Sequence, residues 1–281
     1  MHALGPLLAK GEIDVARRGL EAAGRVARRL RQPAHLWDVG GAEAMLAISD
    51  GELDEGGVLA EKARVIGERI QAEMATPVYL MQRYTLCDLR GGLESIEPSI
   101  ARLVAEHPSR PVFRCALAYL HARVGRPREA AVALEALARD RVSALPFDQE
   151  WLLGMSFLAE TATLVGDLGA AAALLERLAP WAALNVVDQC EGMRGSVSRY
   201  VAILAAALGR PDEAGRHFEA ALEMDAAMGA RPWLARTQLD YARWLESHGG
   251  DEERAGALAE AARASLRALG LPEIYSRSPS G

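Results

Sequence analysis

Small and aliphatic residues recur on one helical face at fixed distances after a glycine. After Gly209, for example, Ala214, Phe218 and Ala221 follow at five, nine and twelve positions. Because an α-helix has about 3.6 residues per turn, these positions lie on one face. The same offsets after Gly11, Gly51, Gly125 and Gly166 give only glycine, alanine or leucine. The pattern predicts a series of helices, each packing one face closely against a neighbouring helix.

The residues around these glycines predict where one helix ends and the next begins. Gly125 and Gly209 are each followed by arginine and then by Pro127 or Pro211. Glycine adopts the left-handed conformation that ends a helix, and proline fits the first position of the following helix. Each segment therefore predicts a helical hairpin with a short turn.

The hairpins follow one another at a nearly constant spacing. The turn glycines are Gly11, Gly51, Gly92, Gly125, Gly166, Gly209 and Gly250. Their separations are 40, 41, 33, 41, 43 and 41 residues, which is typical of a helical solenoid whose repeats bury their faces against their neighbours. We predict an all-α chain of about seven antiparallel helix hairpins, with a single repeat domain over 1–270 and a flexible tail over 271–281.

The third and first units depart from the regular pattern. Counting from Gly92 places Glu97, Ala101 and Val104 on the packed face, and the step to the next glycine is short. Gly11 leaves room for only a short first helix, so we expect either a shortened terminal repeat or a segment missing upstream. The intervals between turns hold few alternating β-branched residues, and no strand is predicted.

Composition and charge exclude some classes of function. The formal net charge is −6 and the isoelectric point is near 5.6, which disfavours binding to nucleic acid or to anionic membranes. The three cysteines lack short spacings and predict free thiols in a reducing cytoplasm. No signal peptide or membrane-spanning stretch is evident.

No catalytic or cofactor motif stands out. The chain lacks a P-loop, a G-x-S-x-G element and any histidine or cysteine pair at metal-binding spacing. We therefore predict no catalytic residue, no cofactor-binding residue and no metal ligand. An all-helical enzyme with a site assembled from distant residues stays open as the least favoured alternative.

Residues 201–245, VAILAAALGRPDEAGRHFEAALEMDAAMGARPWLARTQLDYARWL, resemble the tetratricopeptide repeat. The chain departs from that repeat in its longer period and in lacking its early tryptophan and its closing proline. Longer variants of this kind are found in the C-terminal segments of bacterial ATP-dependent regulators, of the maltose-activator or cyclase-associated type. The resemblance implies a right-handed superhelical solenoid that acts as a sensor or interaction segment of a signalling or transcription-regulatory protein.

By the same resemblance, first-helix residues not used in packing line a concave groove. The expected partner-binding residues are Gln82, Tyr119, Arg123, Glu160, Arg199, Arg236 and Arg243. An arginine-lined groove favours a carboxylate or an acidic peptide. Plain exposure to solvent is the alternative for each of them.

Three functions are left open by the sequence. The first is a non-catalytic scaffold that holds a protein, a peptide or a small effector in its groove. The second is a structural module for homo-oligomerisation or spacing, and the third is the enzyme noted above. We expect the chain to make no direct contact with nucleic acid or with a membrane.

Overall fold

Fourteen α-helices account for most of the described residues, which are 3–142, 145–249 and 251–272 of the computed structural model. The helices are α1 Leu4–Ala9, α2 Ile13–Leu30, α3 Pro33–Asp50, α4 Leu53–Gly67, α5 Ala72–Arg90, α6 Glu97–Glu106, α7 Val112–Arg123, α8 Pro127–Val142, α9 Trp151–Val165, α10 Leu168–Leu178, α11 Val197–Ala207, α12 Pro211–Ala227, α13 Arg231–Ser247 and α14 Glu252–Ala268. Short 3-10 helices cover Leu93–Ser95 and Ala179–Trp181, and two strands, β1 Asn185–Asp188 and β2 Gly192–Ser196, form an antiparallel sheet.

Each predicted turn lies between the two helices of one pair, which gives seven consecutive pairs, from α1 with α2 to α13 with α14. The backbone of the predicted turn glycines is left-handed, with φ between 67° and 101° at positions 11, 51, 92, 125, 166 and 209. This part of the prediction is confirmed, while Gly250 lies outside the described residues. The residue after the glycine then donates its N–H back into the helix, as Arg210 does to the carbonyl of Ala205 at 2.9 Å.

The predicted packing faces are buried in most units but displaced by one residue in the third. Ala130, Leu134 and Leu137 are all buried, as predicted for the fourth unit. In the third unit, Ala101 is exposed, and Ile96, Ile100 and Leu103 form the buried face instead. The prediction was wrong there because two glycines with positive φ, Gly91 and Gly92, share the turn. Counting from Gly91 restores the offsets.

Every helix contacts the next helix along the chain, but the two ends of the chain also meet. Helix α3 contacts α13, and one hydrophobic core joins α1–α3 to α12–α14. Arg231 donates to the backbone carbonyl of Asp50 at 2.7 Å and also contacts the Glu52 carboxylate. Contacts therefore also join helices that are far apart in the chain. Leu271, where the predicted tail begins, is buried in this core, and 273–281 lie outside the described residues.

The predicted all-α class is confirmed for the described residues, and the small β-hairpin is a local departure that the sequence analysis did not predict. Helix α10 ends at Leu178 and α11 begins at Val197, so the interval that was expected to continue as helix holds β1 and β2 instead. Each strand has at most five residues, which is too short to show an alternating pattern in the sequence. All nine strand residues are buried, because the hairpin packs among α1, α3, α5, α9, α12 and α13.

No helix in the described ranges combines the length and the apolar character needed to cross a bilayer.

Candidate functional site

The residues predicted to line a groove do face the inside of the molecule, but they are covered. Gln82, Tyr119, Glu160, Arg199 and Arg236 are buried, and Arg123 and Arg243 are partly buried. They lie on α5, α7, α9, α11 and α13, the first helices of five successive hairpins. The structure brings six of them to one region and places Gln82 at the edge of that region. Strand β2 contacts α5, α9, α11 and α13, and the described residues form no open groove at the five buried positions.

Arg194, in the middle of β2, lies at the centre of this region. Its guanidinium donates to Asp88 Oδ2 at 3.2 Å and also bonds to the Glu160 carboxylate. The same group stacks on Phe157, with its central carbon 4.2 Å from the ring centroid, and lies within 4.8 Å of the ring centroid of Tyr119. Its side chain is only 1% exposed. Burying a guanidinium is costly unless carboxylates and aromatic faces replace water, and both are present here.

Asp88 accepts three of the contacts that hold this region together. Arg236 lies 2.8 Å from Asp88 Oδ2, and the hydroxyl of Tyr119 donates to Oδ1 at 3.1 Å. Burial disfavours the ionised carboxylate, but the positive charges of Arg236 and Arg194 outweigh burial and lower the pKa of Asp88. Burial also raises the pKa of Tyr119 to about 12, so its hydroxyl keeps its proton at neutral pH.

Glu160 extends the network towards the later helices. Arg199 donates to Glu160 Oε1 at 2.8 Å and lies 2.7 Å from Asp240 Oδ2, and Arg243 lies 3.4 Å from the other oxygen of Asp240. Burial opposes the charge of Glu160, yet Arg199 and Arg194 together lower its pKa. We call the set Asp88, Glu160, Arg194, Arg199 and Arg236 the ionic core. Its members come from α5, α9, β2, α11 and α13.

Further hydrogen bonds fix the hairpin at both of its ends. At the turn, the side-chain amide of Gln82 donates to the carbonyls of Gly41 at 2.9 Å and of Cys190 at 2.5 Å. At the other end, Asp225 accepts from the Ser196 N–H at 2.8 Å and from the Thr237 hydroxyl at 2.7 Å. Burial raises the pKa of Asp225 to about 6. The hairpin is therefore part of the buried structure and not a surface loop.

Sequence reasoning missed the residues that organise this region. Arg194, Asp88 and Asp225 belong to no motif, and their partners lie far away in the chain. A weak signal was available, since Gly192 and Gly195 flank Arg194 and two valines precede the turn. Gly195 has φ +75°, and an added Cβ would lie 2.9 Å from both Asp225 Oδ1 and Trp233 Cβ, so only glycine fits there.

A second charged cluster lies at the turn of the same hairpin. Glu150, just before α9, meets Asp188 and Glu191, and one carboxylate oxygen from each lies within 4.8 Å of the others. Arg110 forms ion pairs of 2.5 Å with both Glu150 and Glu191. We call Glu150, Asp188 and Glu191 the acidic cluster. Burial and, after it, the repulsion of Glu191 raise the pKa of Asp188, and burial also raises the pKa of Glu191.

A mostly apolar pocket lies outside the ionic core, in the groove between α7 and α8. Its volume is about 480 Å³. Its lining includes Leu117, Val132 and Leu137 together with Arg114 and Arg128. Val132 is 69% exposed, which is unusual for an aliphatic side chain in a packed array. This groove is open to solvent, whereas the predicted interior groove is not.

Comparison with protein-family models and with curated proteins gave no match for this chain.

Proposed function

We propose that this chain is a non-catalytic helical-repeat scaffold that binds a protein or peptide. The proposal includes a right-handed superhelical arrangement of the tetratricopeptide type. Two observations support this arrangement: consecutive hairpins contact one another, and the first helices of five hairpins all direct side chains to the ionic core. Side chains from the first helices of five successive hairpins meet in one region when those helices lie on the inner wall of a curved array.

The observation that carries the functional proposal is the burial of the inner wall under the chain's own β-hairpin. In an open array, a bound peptide would satisfy Asp88 and Glu160. Here Arg194 does so from within the chain, and both carboxylates are buried. Removing Arg194 would leave two buried carboxylates with fewer positive partners, which costs several kcal/mol. We therefore assign partner binding to a surface outside the ionic core.

The groove between α7 and α8 is the surface that best fits a partner. Its lining is mostly apolar, and the exposed charged residues in it are two arginines, Arg114 and Arg128, and one acid, Glu129. An apolar side chain of the partner would bury Val132 and Leu117, and flanking carboxylates would pair with the arginines. We propose an acidic peptide segment with one aliphatic or aromatic anchor as the occupant. This retains the expected acidic partner and changes the place where it binds.

The test uses the full chain and a displayed library of random peptides. We expect the selected peptides to carry an aromatic or aliphatic residue beside aspartate or glutamate. Val132→Asp should weaken their binding by about tenfold or more. Val58→Asp is the matched control, because Val58 is 54% exposed on α4, away from the pocket. Both variants should keep the melting temperature of the unmodified chain.

Two results would contradict the proposal. If the selected peptides bind the Val132 and Val58 variants equally well, the α7–α8 groove is not their site. If selection yields no peptide and light scattering shows a dimer, the oligomerisation alternative replaces the scaffold.

The wider setting follows from the resemblance stated above. We propose that the chain serves as the sensor or interaction segment of a bacterial regulatory protein in the cytoplasm. The three cysteines support a reducing compartment, because all of them are unpaired in the structure. If the partner is a small effector and not a peptide, we propose the same α7–α8 groove as its binding site.

A further inference from the structure

The acidic cluster has more negative charge than its surroundings neutralise. Three carboxylates, from Glu150, Asp188 and Glu191, face one guanidinium, from Arg110. Among the described residues, Asp148 adds to the repulsion at Asp188 and Glu150, and His107 opposes it at Glu150. With the three carboxylates ionised, Arg110 leaves an excess of about two negative charges in a mostly buried place.

Two oxygens of the cluster are buried and have no hydrogen-bond partner among the described residues. They are Asp188 Oδ2 and Glu191 Oε2. Asp188 is 1% exposed and Glu191 3% exposed. Buried carboxylate oxygens are normally satisfied by donors or by a bound cation, because an unsatisfied one loses its hydration without compensation.

The ion pairs of Arg110 leave these oxygens available. Arg110 Nη2 contacts Glu191 Oε1 and its Nε contacts Glu150 Oε1, so the guanidinium holds one oxygen of each glutamate. Glu191 Oε2 and Asp188 Oδ2 are then left without a hydrogen-bond partner among the described residues. Oxygen donors from several carboxylates are the ligands that hard divalent cations prefer.

We propose that Glu150, Asp188 and Glu191 bind one divalent cation of the oxygen-preferring class, which comprises Ca²⁺, Mg²⁺ and Mn²⁺. The cation cancels the excess charge and supplies a partner for both orphaned oxygens. It also joins the turn of the β-hairpin to the start of α9, because Glu150 immediately precedes that helix while the other two ligands flank the turn. The site is independent of the α7–α8 groove, so either proposal can fail alone.

The first measurement detects the cation directly on the full chain. Chelator-treated protein is titrated with CaCl₂, MgCl₂ and MnCl₂ by calorimetry, and with Tb³⁺ by sensitised luminescence. Trp151, which adjoins Glu150, serves as the luminescence donor. We expect one site, an increase in the melting temperature with at least one of the three cations, and displacement of Tb³⁺ by that cation.

The second measurement assigns the site. Asp188→Asn should weaken cation binding by about tenfold or more, because it removes one ligand charge. Glu150→Gln tests a ligand that is less buried, in case the Asp188 variant folds poorly. Glu219→Gln is the matched control, since Glu219 forms a surface ion pair with Arg254 on α12 and α14.

The competing arrangement is a pair of carboxylates that hold protons in place of a cation. In that case none of the three cations binds at millimolar concentration, and Asp188→Asn raises the melting temperature whether or not a cation is present. That result would overturn the proposal, as would cation binding that neither the Asp188 nor the Glu150 variant weakens.

Discussion

The two ends of the β-hairpin place buried carboxylates in opposite electrostatic surroundings. Near Arg194, Asp88 and Glu160 are surrounded by arginines, and their pKa values are lowered despite burial. At the turn, the one arginine in contact among the described residues is Arg110, which pairs with Glu191 and Glu150. Burial raises the pKa values of Asp188 and Glu191, and repulsion adds to it, from Glu191 at Asp188 and from Glu150 at Glu191. Burial alone therefore does not determine the charge state of a carboxylate. The number of guanidinium groups within contact decides it.

The two regions also differ in the role that we assign to them, since one stabilises the fold and the other binds a ligand. The carboxylates of the ionic core already have charged partners within the chain, so this region holds the fold together. In the acidic cluster, two buried oxygens have no partner in the part of the chain that the structure describes, and this is where we propose a bound cation. Three experiments test whether the two regions differ in this way.

Substitution of Arg194 should have the largest effect. Arg194→Met keeps much of the volume but leaves Asp88 and Glu160 with fewer positive partners in a buried region. We expect the free energy of unfolding to fall by about 3–5 kcal/mol in urea denaturation, the range typical of a broken buried pair. Arg254→Met, which removes a half-exposed ion pair with Glu219, should cost only about 0–1 kcal/mol. Equal losses would mean that the ionic core does not hold the hairpin.

Substitution at Gly195 tests the geometry that presents Arg194. In Gly195→Ala, the new Cβ would meet Asp225 and Trp233 at 2.9 Å, and the residue would also be forced to adopt φ +75°. We expect a loss of about 1–3 kcal/mol. Gly192→Ala in the same strand is the control, because its nearest new contact is 3.7 Å away and its φ is not positive. Similar losses of stability in both variants would mean that the hairpin tolerates no side chain at either glycine. That result would contradict a specific role for Gly195.

The pH dependence of stability should show opposite signs for the two regions, with the smallest changes of the three experiments. Asp88 and Glu160 have lowered pKa values, so their stabilisation is present above about pH 4–5 and is lost as the pH falls. Asp188 and Glu191 have raised pKa values, so their contribution is present below about pH 4 and is lost as the pH rises through those raised values.

The measurement is urea denaturation at a series of pH values in the presence of a chelator. We expect Asp188→Asn to flatten the decline on the alkaline side and to leave the acid side unchanged. Part of the decline should persist, because burial raises the pKa of Asp225 to about 6 and its contribution is also lost as the pH rises. If the Asp188 variant has the same pH dependence of stability as the unmodified chain, the buried charge of the acidic cluster does not destabilise the protein at neutral pH.

Local chemistry explains what could be predicted without a structure. The alternation of turn glycine, proline and small apolar positions determines where helices end and which face packs, since these preferences act within a few residues. Gly125, Gly166 and Gly209 all have the predicted left-handed backbone. The register of the third unit failed because Gly91 and Gly92 are both compatible with the turn, and the sequence carries no local preference between them.

Local patterns of residues were enough to predict a succession of helical hairpins, but they placed the partner-binding residues in an open groove. Long-range contacts bury five of those residues, since the chain folds so that Arg194 reaches Asp88 across 106 positions. The acidic cluster likewise joins Glu150 to a turn that begins 38 positions later, at Asp188. Such contacts depend on how helices from distant parts of the chain pack together and on where a short hairpin is inserted. Both are results of packing between distant segments, which no local pattern of residues records.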